Sequence, residues 1–580
     1  MGITQFFPWY KKSFPSSIKT LGKHEDFKKK NIIIDNLMID LNGVFHGSTQ
    51  KIYEYGSHKP RVSLLGKKNI KKNIGAFKTQ VKVFEDICTT IEKILFLVNP
   101  KKRLILCVDG TAPLSKQNQQ RQRRFKAALE KTDEEFTKFD SNCLTPGTKF
   151  MDYLTTYIDW FIRKSISTNP LWMSIEVVFS SEKVPGEGEH KLINYMRFFG
   201  DKNDYYCMHG LDADLIMLAL GTHLPNFWIL REDLYSTTNE FYILNIGQTR
   251  KDLSILMNWV VEYDKECVPF NPVYSINDFI FMCFMVGNDF LPHIPSLKII
   301  EGGIDHMIDI YKNIGKSYGH LTAISDTDIV FQKSSLEMFF KTISVSDKEI
   351  LEKKMLKKKD FFPDQLLEKH CVFNSETKEF DLDIKNYRED YYANKFKDID
   401  IKDACHQYLD GLQWVLSYYT KGVPDWKWCF KHHYAPFAHE IAEYISDYNH
   451  PNKKETFPTT QFQQLLSVLP PKSANLIPKT LSHLLTHSDS EIKKFCPDKF
   501  EIDLSGKRKE WEGVVLLPMV DFDIISKEYF KNIGKVHKSE LTRNIVGETL
   551  VYNISDISYV YVSEYGNIPQ CRVKIDKIKL

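Results

Sequence analysis

The chain has 580 residues, 42% of them hydrophobic and 13% aromatic, too many for one core and ample for two or three domains. A formal net charge of +3 excludes binding to nucleic acid through bulk charge, so any basic surface has to be local. Eleven cysteines with no C-x-x-C pair argue against a disulfide framework and for a reducing compartment, and no stretch approaches the roughly 20 apolar residues of a membrane span.

The opening residues, Met1 to Tyr10, are apolar but have neither the n-region nor the cleavage site of a signal peptide, and Phe6 stands where a myristoylation signal needs Ser or Thr. A soluble intracellular protein is expected, in the cytoplasm rather than the nucleus. The first three hundred residues alternate short apolar runs with helical patterns, as an α/β sheet requires. Candidate strands are Ile32 to Leu41, Arg103 to Val108, Ile175 to Phe179, Tyr205 to Met208 and Phe227 to Leu230. Candidate helices lie between them at Lys78 to Leu97, Leu114 to Lys131 and Lys149 to Ile166. Lys67 to Lys72 is a short basic run, expected as a loop.

Acids follow the strands. Asp40 closes the first run, Asp109 follows the second, Glu187 and Glu189 the third, and Asp212 and Asp214 the fourth; Asp289 follows a buried-looking helical run, Phe279 to Val286. In open parallel sheets the binding crevice lies beyond the carboxyl ends of the strands, so all seven are expected in one pocket. So many carboxylates share a pocket only if cations neutralise them, and an all-oxygen donor set suits Mg²⁺ or Mn²⁺ rather than zinc. Alone, Asp40 and Asp109 read equally well as strand-end residues capping the next helix. Pro185 to His190 is more telling, because the glycines around Glu187 and Glu189 permit close backbone approach, which helix-dipole preference for acids does not explain.

Lys116, Gln120, Arg123 and Arg124 fall at i, i+4, i+7 and i+8 of the helix after Asp109 and so share one face. Guanidinium forks with an amide between them suit a phosphate; a solvated basic face is the plainer alternative. From about residue 316 to 400 charge becomes dense, as in Lys357-Lys358-Lys359-Asp360, and an exposed helical insertion or linker is expected there. Aromatics then crowd between Trp414 and Tyr434. Trp426 and Trp428, flanking Lys427, suit base stacking, with His46 as an opposing face. Cys429, His432 and His433 could suggest zinc, but no second ligand pair follows at finger spacing. Thr549 to Val562 reads as a terminal strand.

Taken together, the motifs resemble the Xrn family of 5′→3′ exoribonucleases. The resemblance rests on Met1 to Phe7, Asp40 to His46, Asp109 to Pro113, Lys116 to Phe125, Asn142 to Gly147, Val184 to Lys191, Gly210 to Leu218 and Val286 to His293. A second region is matched by Gly411 to Trp414, His432 to Pro436, Gln464 to Pro470 and Gly506 to Pro518. Departures are Ser505 in place of an expected asparagine, the basic stretch Gly56 to Gly75, and the lack of zinc-knuckle cysteines and of the long C-terminal extensions of larger members.

The resemblance implies an α/β fold, a mostly parallel central sheet flanked by helices (a PIN/FEN-like nuclease core), with an aromatic-rich second region packed against it. The expected organisation is a catalytic region at 1–315, a charged linker at 316–400 and the second region at 401–580. The implied activity is processive hydrolysis of single-stranded RNA with a 5′-monophosphate to nucleoside 5′-monophosphates, in RNA degradation after decapping. Two Mg²⁺ (or Mn²⁺) ions would be held by Asp40, Asp109, Glu187, Glu189, Asp212, Asp214 and Asp289. Lys116, Gln120, Arg123 and Arg124 would bind the 5′-phosphate, and His46 with Trp426 or Trp428 would sandwich the terminal base. A monomer without membrane association is expected. A flap-type structure-specific DNA nuclease and a catalytically silent RNA-binding scaffold remain as alternatives.

Overall fold

The computed structural model describes residues 3, 5–22, 24–56, 76–131, 139–233, 240–259, 267–325, 328–357, 361–450 and 455–580; the basic run at 67–72 lies outside them. The first half of the chain builds one sheet from β1 (Ile18–Leu21), β2 (Asn36–Asp40), β3 (Arg103–Cys107), β4 (Glu176–Ser180), β5 (Tyr206–His209), β6 (Phe227–Glu232) and β7 (Phe241–Asn245). Three small hairpins follow: β8 (Thr322–Ser325) with β9 (Asp328–Phe331), β10 (Cys371–Asn374) with β11 (Glu379–Leu382), and β12 (Glu501–Asp503) with β13 (Val514–Leu516). The last two strands, β14 (Thr549–Tyr561) and β15 (Ile568–Ile578), return to the main sheet, whose order is β1-β7-β6-β5-β2-β3-β4-β14-β15. Its five central strands run parallel, and antiparallel strands close both edges.

Neighbouring strand residues point to opposite faces, and both faces are covered, which is why the strands read as unbroken apolar runs. Met38, Ile105, Val178 and Met208 enter one core cluster, while Leu37, Ile39, Leu104, Leu106 and Val177 enter the other. The helices that matter for the site are α1 (Leu41–Tyr53), α2 (Ala76–Val98), α3 (Leu114–Glu130), α4 (Lys149–Thr168), α5 (Gly188–Phe199), α6 (Asp214–Gly221), α7 (Pro272–Met285), α8 (Lys333–Lys357) and α9 (Ile401–Thr420). Helices α2 and α4 cover the second face; α5, α6, α7 and α9 cover the first.

Residues 316–400 differ from the exposed linker expected of them. Leu336, Phe339, Phe340 and Ile343 of α8 are fully buried in the main core, and Leu351, Leu367, Tyr387, Tyr391 and Tyr392 form a further cluster with Phe437. Charge density misled because it reports only the outer face of α8, where the lysines pair along the helix (Lys341 with Glu337) or across to β11 (Lys348 with Asp381). The aromatic-rich second region packs against the α/β core, as expected. Phe125 of α3 sits in the cluster of Phe462, Leu465 and Leu466, and the Arg121 guanidinium donates to the carbonyls of Pro518 and Phe495.

Candidate active site

The seven acids occupy the C-terminal rim of the parallel strands. Asp40 ends β2, Asp109 lies two residues beyond β3, Glu187 immediately precedes α5 after β4 with Glu189 in the helix's first turn, and Asp214 opens α6 after β5. Asp289 reaches the same place from the turn after α7. Asp40 is also the cap of α1, accepting from the Asn42 backbone, so the helix-capping and cluster readings hold together.

Two glycines set the spacing. A Cβ on Gly110 would lie 1.8 Å from the Val184 carbonyl oxygen, and one on Gly188 would lie 2.5 Å from Asp40 Oδ1. The loops therefore zip together through Gly110 N–H to the Gly186 carbonyl and Gly186 N–H to the Thr111 carbonyl, each 2.8 Å. Gly188 N–H donates to Asp109 Oδ1 across 2.7 Å. Asn42 ties the first two acids, its amide donating to Asp40 Oδ1 (3.0 Å) while its carbonyl oxygen accepts from Asp109 N–H (3.4 Å).

The acids fall into two sets of different character. Glu189, Asp212 and Asp214 each offer a carboxylate oxygen within 4.8 Å of the others, the one such group of potential metal ligands among the described residues. Asp214 Oδ1 is buried with no hydrogen-bond partner. Burial, then the charge of Asp212, raises Asp214 to about 7, and burial followed by Asp214 holds Glu189 well above the usual carboxylate range. Asp40 is pushed to about 8 by burial and by Asp109. Buried carboxylates such as Asp40, Glu189 and Asp214 ionise fully only beside added positive charge, and a buried, unpartnered oxygen in a group of three acids suits a hard cation. The residues present fit a divalent metal.

Glu187 and Asp289 instead share a protein cation. The ammonium of Lys116 contacts Glu187 Oε2 and donates to Asp289 Oδ2 across 2.8 Å. Burial opposes ionisation of Asp289, yet the Lys116 charge overcomes it and draws the carboxyl down to about 2. Lys116, although its burial disfavours charge, is held well above the usual lysine range by Asp289 and Glu187. Sequence reasoning assigned Lys116 to the phosphate face; here its ammonium lies among the acids. Gln120 is buried against Gln464 of the second region (3.5 Å). Arg123 is exposed, whereas Arg124 is buried with Nη1 unpartnered and is lowered to about 9 by burial and by Arg123.

His46 joins this basic end. Burial, Arg123 and Arg124 together lower its imidazole to about 4, against the pull of Asp212. The two tryptophans separate clearly. Trp428 stacks on Trp414 (centroids 5.1 Å apart, 22° between planes) and fills the space above Gly411, where a Cβ would meet its ring at 2.9 Å. Trp426 has no ring contact of that kind among the described residues, and its carbonyl accepts from Leu114 N–H (2.9 Å) at the start of α3. Three residues at the site were not singled out from sequence. Asn42 and Gln119 lay inside quoted motifs without a role, and Tyr418, whose hydroxyl reaches Glu187, was counted only among the aromatics. Cys429, His432 and His433 form no metal group, and no helix among the described residues is long and apolar enough to cross a membrane.

The family described as XRN 5′-3′ exonuclease N-terminus matches residues 1–233, and that described as Xrn1 helical domain matches residues 269–385 and 374–567. The 5′-3′ exoribonuclease 2 homolog of Drosophila melanogaster is 29% identical, over 95% of this chain and 73% of its own length. The 5′-3′ exoribonuclease 2 of Gallus gallus is 30% identical, over 90% of this chain and 69% of its own. The 5′-3′ exoribonuclease 1 of Homo sapiens is 30% identical over 97% of this chain, which spans about a third of that relative (36%). Among solved structures, the catalytic core of Rad2 in complex with DNA substrate aligns at 10% identity and a TM-score of 0.30, over 75% of this chain and 97% of that one.

Proposed function

Because the chain belongs to the XRN 5′-3′ exonuclease family, we propose that it degrades single-stranded RNA from a 5′-monophosphorylated end, one nucleotide at a time, with divalent metal, as a step after decapping. The observation that carries this reading is the span of one helix. Helix α3 begins at the carboxylate cluster with Lys116 and, two turns on, presents Arg123 and Arg124 beside His46. A strand held by its terminal phosphate at the second place would lay its first phosphodiester near the first.

Glu189, Asp212 and Asp214, with Asp40 and Asp109 behind them, would hold Mg²⁺ or Mn²⁺, which supplies an activated water and neutralises charge at phosphorus. Arg123, exposed and forked, would grip phosphate oxygens, and Gln120 and the half-unsatisfied Arg124 would line the pocket. A pocket walled by Gln464 and built for one phosphate would reject capped or triphosphorylated ends by sterics and unmatched charge. Burial, with its arginine neighbours, lowers the His46 imidazole, so a flat neutral ring rather than a cation would face the terminal base, with Trp426 opposite. Trp428 is committed to Trp414 and does not suit that task. The packing of the second region around α3 supports an entrance for a single strand, and a monomer suffices for every group named.

Defined RNAs bearing 5′-monophosphate, triphosphate, cap or hydroxyl, each with and without Mg²⁺, test the reading. Metal-dependent release of nucleoside 5′-monophosphates from the first alone is expected. Digestion of flapped DNA in preference to RNA would overturn it.

A further inference from the structure

Lys507 lies in the turn between β12 and β13, partly buried, and its ammonium makes no hydrogen bond or ion pair among the described residues. The acids close enough to act on it are Asp503 and Glu512, and both are engaged elsewhere. Asp503 accepts from Lys395, the Tyr434 hydroxyl and Ser505 N–H, and Glu512 accepts from Arg508 N–H. Two further ammoniums converge on the same turn. Lys298 donates to the Gly506 carbonyl across 3.2 Å, and Lys354, in the last turn of α8, lies 2.9 Å from where a Cβ on Gly506 would be. Lys354 also donates to Asp364 (3.3 Å). Burial, reinforced by Lys298, lowers Lys507 to about 8 against the pull of Asp503 and Glu512. Burial and the same three lysines lower His293 to about 3, so its ring is neutral and adds no charge of its own.

We propose that Lys507, with Lys298 and Lys354 beside it, binds a phosphate group at a site separate from the α3 face and from the carboxylate cluster. This goes beyond the nuclease reading and does not depend on it. A partly desolvated ammonium without a partner is unfavourable, and here its cationic neighbours add to the charge instead of offsetting it. A phosphate oxygen is the partner such a compact, rotatable donor suits, and a dianion gains more than chloride because the attraction scales with the ligand's charge. Two sources offer that chemistry: a phosphate of an RNA backbone, or a small free phosphate. The first is within reach, because Asp289 and His293 stand on one turn and four residues of chain span at most about 14 Å. The partial exposure of Lys507 admits the second equally.

The test is calorimetric titration of the full chain with inorganic phosphate, in chelator and at constant ionic strength, in an Arg123→Ala background that weakens the α3 face. Saturable binding is expected there, and adding Lys507→Met should weaken it by about tenfold or more, as for the loss of one charge-assisted contact. Lys507→Arg should retain it. The thermal midpoint of Lys507→Met in chloride is expected to equal or exceed that of its parent, because a cation without a partner is removed, while the rise that phosphate gives the parent disappears. Phosphate binding unchanged by Lys507→Met would overturn the site. So would the absence of saturable binding in the Arg123→Ala chain, which decides the matter even if the Lys507 variant does not fold. A 5′-hydroxyl RNA titrated under the same conditions separates the sources. Weakening by Lys507→Met would identify a backbone phosphate, and RNA binding left intact while phosphate binding is lost would identify a small free anion. No metal or turnover enters the measurement, so its failure would leave the nuclease reading untouched.

Discussion

The hydroxyl of Tyr418 donates to Glu187 across 2.7 Å, joining residues 231 positions apart and giving the second region a direct hold on the carboxylate cluster. The Tyr418 ring also stacks on His190 at 3.7 Å and 8°, so its position does not depend on the hydroxyl alone. Tyr418→Phe should therefore keep the packing and release only Glu187. Leaving that buried oxygen short of a donor is expected to cost about 1–3 kcal/mol of stability, read as a lower thermal midpoint. Steady-state kinetics should show kcat down about tenfold with KM little changed, as for a group whose loss acts on the chemical step. An equal rise in KM with kcat intact would place Tyr418 in substrate binding instead.

Asp212→Asn removes one charge from the triad and no bulk. Loss of metal-assisted stabilisation worth several kcal/mol should slow turnover about a thousandfold or more, while affinity for single-stranded RNA stays within a few-fold. Filter binding beside single-turnover digestion separates the two. Turnover near wild type would remove the triad from the chemistry.

For Arg123→Ala, the expected change is in end preference. A lost charge-assisted contact of about 1.5–3 kcal/mol should shrink the preference for 5′-monophosphate over 5′-hydroxyl RNA by about 10- to 100-fold. Competition between the two RNAs in one reaction measures it; an unchanged ratio would move the phosphate pocket off α3.

The two tryptophans should fail differently. Trp428 fills the space between Trp414 and Gly411, so Trp428→Ala opens a cavity and is expected to cost about 3–5 kcal/mol of folding stability. Trp426→Ala should leave the thermal midpoint nearly unchanged and weaken RNA binding by about 1–3 kcal/mol, the stacking contribution of one base. Reversed outcomes would exchange their roles.

Metal should also govern how stability depends on pH. Asp40 and Asp214 titrate near 8 and 7 in the folded chain against an ordinary 3.8, so between about pH 4 and pH 8 the folded state holds protons that the unfolded chain has released. Their contribution is fully present below pH 3.8 and is lost as pH rises through 7 and 8. With a chelator, the thermal midpoint is expected to fall across that window. Mg²⁺ should flatten the fall, since a bound cation favours the ionised carboxylates. A slope indifferent to Mg²⁺ would mean that these acids hold no ion.

Much of this was legible in the residues. Buried parallel strands read as apolar runs because both faces are covered, and the acids follow because strand ends open onto the crevice; hence β2 to β6 and all seven carboxylates could be located. Strand β7, the return of β14 and β15 to the sheet, and the burial of 316–400 could not. Edge pairings and the inner face of a charged helix depend on partners far away in sequence, and α8 carries its apolar side under a text dominated by lysine and glutamate.

The sequence by itself determined which chemistry the site is equipped for, since residue type and local spacing suffice to say that acids gather at strand ends and that four polar groups share one helix face. Only the tertiary structure decided how those groups are divided. It set Lys116 between Glu187 and Asp289 rather than among the arginines, left Asp214 Oδ1 without a donor, stacked Trp428 on Trp414, and brought Tyr418 to Glu187. The reason is physical. Whether a charge is a ligand, a counter-ion or a surface group depends on which oppositely charged atoms lie within a few ångströms and how much water remains. Those distances are fixed by contacts between segments hundreds of residues apart.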